Sequence, residues 1–177
     1  MTSTTGWTIQ DWQQAYRTGA TPDALLTKLW SQIRADDPAW IARVSRTGLE
    51  NALSQLADRL QACDGDLSLL PLYGVPFAAK DNIDAAGFDT TAGCPDYAYS
   101  PTVDADVVAR LREAGAILMG KTNLDQFATG LVGTRSPYGA VPNAFDPAVI
   151  SGGSSSGSAS VVARGLVPFS LGTDTAG

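Results

Sequence analysis

Among its 177 residues the sequence has no histidine. That absence excludes a Ser-His-Asp triad, a Cys-His pair and a histidine-ligated metal site built from this chain. Cysteine is scarce. Cys63 and Cys94 fit neither a metal nor a redox spacing, so two free thiols are expected. Neither metal nor cofactor is expected. No apolar run approaches the length of a membrane span, and residues 1–7 lack the basic start and apolar core of a signal peptide. Basic residues are outnumbered, 12 Lys and Arg against 18 Asp and Glu, for a net charge of −6. A nucleic-acid partner, which calls for a basic face, is therefore not expected. The reading is a cytoplasmic protein without membrane contact.

What is present suits one α/β unit. Hydrophobic residues make up 44% of the chain, enough for a sizeable core over one domain's length. Trp7 to Tyr16 has near-helical apolar spacing and ends at Gly19. Thr21-Pro22-Asp23 reads as a helix start, with a capping hydroxyl, proline at the first position and an acid in the first turn. Leu25, Leu26, Leu29, Trp30 and Ile33 then trace one face. Residues 38–44 read as a short strand or a helical turn, and Leu49 to Cys63 as a third helix broken by Asp64-Gly65-Asp66. The tryptophans of this helical part read as packing. Next come a buried strand from Val75 to Ala79, a helix from Asp104 to Gly115 and a buried strand from Ala116 to Gly120. That alternation is the rhythm of an α/β sheet. Neither a repeat nor a linker divides the chain.

Two features carry chemistry. Lys80 closes the apolar run 75–79 and is followed by Asp81-Asn82-Ile83-Asp84. It either pairs with Asp81 or Asp84 at a sheet end, or is desolvated enough to lose its proton near neutral pH and act as a base. On local sequence the two readings are balanced. The serine- and glycine-rich run from Ser151 to Ala159 has the composition of a flexible linker. However, it leads straight into an apolar segment and a strand from Val167 to Leu171. A tight loop opening a helix, with backbone N–H groups and hydroxyls turned toward a ligand, fits better. Without histidine, a hydrolase built here must activate a hydroxyl through lysine, directly or through a second hydroxyl as relay. It also needs an oxyanion hole, which a glycine-rich turn supplies.

Gly152-Gly-Ser-Ser-Ser-Gly-Ser-Ala159 and Gly172-Thr-Asp-Thr-Ala-Gly177 resemble the signature of the amidase signature family. The resemblance extends back through Gly74-Val-Pro-Phe-Ala-Ala-Lys-Asp-Asn82 and Gly115-Ala-Ile-Leu-Met-Gly-Lys-Thr-Asn123. It implies a mixed β-sheet core surrounded by α-helices and a Ser–cis-Ser–Lys triad. Residues 1–177 would be the N-terminal portion of a single amidase domain, helical over 1–66 and opening the α/β core over 67–177. Carried over by position, Lys80 is the catalytic lysine and Ser154 the relay serine after a cis peptide. Thr175, Ala176 and Gly177 take the oxyanion-hole positions. The family's nucleophilic serine follows the glycine matching Gly177, so the chain is expected to continue beyond it.

Details narrow the resemblance. Asp89-Thr-Thr-Ala-Gly-Cys94, Asn123-Leu-Asp-Gln-Phe-Ala-Thr-Gly-Leu131, Gly133-Thr-Arg-Ser-Pro-Tyr-Gly139 and Ala176 look like the allophanate hydrolases of the family. This implies hydrolysis of allophanate (N-carboxyurea) to ammonia and carbon dioxide in urea breakdown, downstream of a biotin-dependent urea carboxylase. Gly130 would wall the substrate, and a homodimer is expected. The alternatives are another amidase of the family, malonamidase-like or of the tRNA-dependent amidotransferase type, and a non-catalytic module in which Lys80 is an ordinary ion-paired lysine.

Overall fold

The computed structural model describes residues 3–175. Helix α1 (Ile9–Arg17) starts at a reciprocal cap. Thr8 Oγ1 accepts from the Asp11 N–H at 3.2 Å, while the Asp11 carboxylate accepts from the Thr8 N–H at 2.8 Å. Thr21 caps α2 (Pro22–Gln32), with proline in its first turn. Ser45 Oγ accepts from the Gly48 N–H and starts α3 (Arg46–Ala62) three residues before the apolar periodicity becomes visible at Leu49. Helix α4 covers Asp106–Glu113 and α5 Ser156–Ala163. α4 lies two residues inside the expected limits at each end, and α5 follows the serine loop as expected. Among the described residues no helix is long and apolar enough to cross a membrane.

One four-stranded sheet forms the centre. Its strands are β1 (Trp40–Arg43), β2 (Pro76–Lys80), β3 (Ile117–Thr122) and β4 (Phe169–Leu171), in the order β1-β3-β2-β4. β2 runs parallel to β3 and β4, whereas β1 pairs antiparallel with β3, so the sheet is mixed, as expected. Residues 38–44, open between strand and turn on sequence, settle as strand β1, because β3 offers a free edge for them. β2 and β3 are buried at every position. This is why both read as continuous apolar runs rather than alternating ones.

Helices cover both faces. Trp12, Leu26, Leu29, Ile33, Leu49 and Leu56 of α1–α3 and the loop after α2 form one core with Ala78, Met119 and Val161 of α5. Phe77, Ala79 and Leu118 pack with Val108 of α4 in a second. Tyr16 ties the helical part to the sheet by donating its hydroxyl to the Gly74 carbonyl at 2.8 Å. Phe77 and Phe169 stack across β2 and β4, with ring centroids 5.5 Å apart and planes 3° from parallel.

Phe77 is fully buried. Phe77→Ala in the full-length polypeptide should therefore cost about 3–5 kcal/mol by lost transfer energy and cavity formation. A chemical-denaturation midpoint within error of wild type would contradict that packing.

Candidate active site

Lys80 ends β2 opposite Thr122 of β3, and both side chains are fully buried. On the same face, Thr122 Oγ1 and Ser158 Oγ share a 2.7 Å hydrogen bond, and Ser158 Oγ donates to the Leu171 carbonyl at 2.8 Å. The first turn of α5 is thereby fastened to the ends of β3 and β4. Gly157 permits the approach. Its N–H donates to the Asn123 carbonyl at 3.0 Å, and a β carbon would collide with the Ala39 carbonyl and the Asn123 backbone.

The serine loop entering α5 therefore lies over the end of β2. The Gly153–Ser154 peptide is cis, and Ser154 Oγ lies 2.8 Å from Lys80 Nζ. Lys80 Nζ also reaches Thr173 Oγ1 at 2.8 Å and the Thr173 carbonyl at 3.3 Å. Burial pulls the Lys80 pKa below its ordinary 10.5, and the Asp125 and Asp174 charges partly oppose this. The neighbouring serines shape the loop. Ser155 Oγ donates to the Thr173 carbonyl at 3.3 Å, and Ser156 Oγ to that of Asn123 at 3.5 Å.

Lys80 does not pair with Asp81 or Asp84. Successive residues of a strand point to opposite faces, so Asp81 turns away from Lys80. It forms a fully buried ion pair with Lys121 at 3.2 Å. Asp81 also accepts from the Thr91 N–H and hydroxyl, and Lys121 donates to the Asp89 carbonyl and Thr90 Oγ1. Asp84 accepts instead from Thr90 and Tyr99. The ion-pair expectation thus fits the second lysine, Lys121, and leaves Lys80 among hydroxyl and carbonyl oxygens.

Asp125, also fully buried, organises the opposite wall. Its carboxylate accepts from the N–H groups of Val132, Gly133 and Arg135 at 2.9–3.1 Å, and its own N–H donates to the Ser154 carbonyl at 3.0 Å. Burial alone would raise its pKa. The N–H donors of Gly133, Arg135, Val132 and Thr134 outweigh that and hold the carboxyl below its ordinary value. A β carbon on Gly130 would stand 2.7 Å from Asp125 Oδ2, so this position must stay bare. Gly130, Ser154, Thr173 and Thr175 line one open cavity of ≈ 880 Å³, with Phe127 at its edge. The expected site residues Ser154, Gly130 and Thr175 thus share one space, and Lys80 stands behind its wall in contact with Ser154 and Thr173. Ala176 and Gly177 lie outside the described residues.

Sequence reasoning passed over Thr173, Asn82, Asp125 and the Lys121–Asp81 pair. Thr173 and Asn82 stood inside the motifs that flagged the site, so their proximity to Lys80 was within reach. For Asp125 there was no signal. An acid in a turn-rich segment reads as solvated until the fold closes three amides around it.

The family model for Amidase matches residues 25–177. With a lysine–serine contact at a glycine-rich turn on a mixed sheet, the chain belongs to the amidase signature family. Among individual proteins, it is 54% identical to a urea amidolyase of Saccharomyces cerevisiae over 97% of its own length and 9% of that protein. Its fold superposes on an allophanate hydrolase of Kluyveromyces lactis with a TM-score of 0.90 and 53% identity, over 99% of this chain and 28% of that one. A glutamyl-tRNA(Gln) amidotransferase component of Symbiobacterium thermophilum is 50% identical over 64% of this chain and 23% of that protein. The chain spans a minor part of each relative.

Replacing Asp125 by alanine takes the acceptor from three N–H groups, one buried and two partly buried, at about 1–3 kcal/mol for each one left buried and unsatisfied. Asp125→Ala should accelerate hydrogen exchange at Val132, Gly133 and Arg135 at least tenfold. Unchanged protection at all three would refute the anchoring role.

Proposed function

We propose that this segment supplies the base, the relay and part of the oxyanion hole of an amide hydrolase acting on allophanate. The observation that carries the reading is the 2.8 Å contact between Lys80 Nζ and Ser154 Oγ, made by a fully buried lysine. Neutral Lys80 accepts the Ser154 hydroxyl proton as Ser154 takes that of the nucleophilic serine expected after Gly177. The nucleophile's oxygen bonds to the amide carbon, and N–H groups of Thr175, Ala176 and Gly177 hold the developing oxyanion. The proton returns through the same relay to the departing nitrogen, the C–N bond breaks, and water then cleaves the acyl-enzyme. No histidine is needed.

Allophanate as substrate is supported by where the similarity lies. Likeness to urea amidolyase and allophanate hydrolase runs over 97–99% of the chain at 53–54% identity. Likeness to the amidotransferase of Symbiobacterium thermophilum stops at 64%. Gly130 stands in the cavity wall, where this reading puts it against the substrate. A biotin-dependent urea carboxylase would supply the allophanate, and the enzyme would work as a cytoplasmic homodimer.

In the full-length polypeptide, Lys80→Ala and Ser154→Ala should each lower kcat for ammonia release from allophanate by several orders of magnitude. Near-normal turnover in either variant would refute its role. Wild type should turn over allophanate in preference to malonamate and glutamine, and equal or faster use of glutamine would favour an amidotransferase role instead. A base must be unprotonated, so kcat/KM should rise with pH through the Lys80 pKa. The midpoint of that limb should fall below 10.5, the direction in which burial moves it. A limb at the ordinary lysine value would contradict a desolvated base.

A further inference from the structure

We infer that Thr173 is a positioning residue that aims Lys80 at Ser154, and that Asn82 and Ser155 hold Thr173 in place for this task. The inference rests on the relay proposed above and extends it to residues that the relay does not name.

A lysine amine has three positions around nitrogen besides its carbon. Protonated, all three carry hydrogens; neutral, one is a lone pair. Lys80 Nζ has three close oxygens: Ser154 Oγ, Thr173 Oγ1 and the Thr173 carbonyl. Two of the three therefore come from one residue. The carbonyl can only accept, so it always takes an N–H. When the Thr173 hydroxyl oxygen takes a second, the third position faces Ser154 Oγ, as proton transfer from that hydroxyl requires. After transfer the new N–H points back at Ser154 Oγ, and the ammonium finds an acceptor in all three directions. The proton is conserved, with the Ser154 O–H bond exchanged for a Lys80 N–H bond. An ammonium buried without such acceptors would be strongly disfavoured.

Thr173 is itself held from two sides. Asn82 Nδ2 donates to Thr173 Oγ1 at 3.0 Å and keeps that oxygen turned toward Lys80. Ser155 Oγ donates to the Thr173 carbonyl at 3.3 Å and accepts from the Thr173 N–H at 3.4 Å, clamping its backbone. Two segments distant in sequence, the end of β2 and the residue entering α5, thereby converge on one threonine in the turn after β4. Other charged groups are placed differently. Asp125 and Asp174 act on Lys80 through their charge, and Asp81 and Lys121 neutralise one another on the far face.

The test is a set of full-length variants assayed for ammonia release from allophanate across pH, with Lys80→Ala as reference. Thr173→Val keeps the shape and removes one acceptor from the ammonium. It should lower kcat at least 30-fold with KM changed less than threefold, and move the acidic limb of kcat/KM to lower pH, because the charged form has lost a partner. Thr173→Ser, which restores the hydroxyl, should return both limb and rate to within about threefold of wild type. Asn82→Ala should show the same limb shift in weaker form. A Thr173→Val enzyme with the wild-type limb, whether or not its rate falls, would overturn the inference and leave a structural role alone. If Lys80→Ala keeps its activity, the relay itself has failed, and the two failures are told apart.

Discussion

A lysine fully buried at the end of a parallel strand, with no carboxylate in ion-pair contact among the described residues, sets the terms for the rest of this structure. Its charged form is disfavoured by burial, and the oxygens around it come from hydroxyls and one carbonyl. Much of the fold serves to build and hold that environment. β2 is buried on both faces, so its last residue is delivered into a dry setting. Gly157 lets α5 seat close to β3, which carries Ser154 across to the lysine.

The two buried lysines illustrate how placement decides chemistry. Lys80 is the last residue of β2 and Lys121 the last but one of β3, and burial lowers the pKa of both. Lys121 has a carboxylate 3.2 Å away and fixes the 89–91 segment through it. Lys80 has hydroxyls instead, which can exchange protons with it where a carboxylate would hold it charged. Strand alternation alone assigns Asp81 to Lys121 and denies it to Lys80.

Helices α1 to α4, both central strands and the α/β alternation were legible in sequence because each rests on local signals, whereas the mixed sheet was expected only through the family resemblance. Thr21-Pro22-Asp23 and the spacing of Leu25 to Ile33 need no tertiary information. Lys80, Ser154 and Gly130 were legible through motifs, and the fold places Ser154 and Gly130 in one cavity wall with Lys80 against Ser154. What local sequence left open was pairing across distance. The choice between an ion-paired and a desolvated Lys80 could not be made from residues 80–84, because the deciding partners stand at 154 and 173. Asp125 was invisible for the same reason, since its meaning comes from amides that are neighbours only after the loop closes. The strand limits shifted by one to two residues, where edge pairing rather than hydrophobicity sets the end.

The central claim is that Lys80 can give up its proton in the folded protein more readily than an ordinary lysine. The most direct measurement is an NMR titration of the Lys80 side chain in full-length polypeptide labelled at lysine carbon and nitrogen, with the signal assigned by its loss in Lys80→Ala. The account predicts a midpoint below 10.5, moving lower still when the Thr173 hydroxyl is removed. A Lys80 that stays charged up to its ordinary value, in wild type and variant alike, would contradict it.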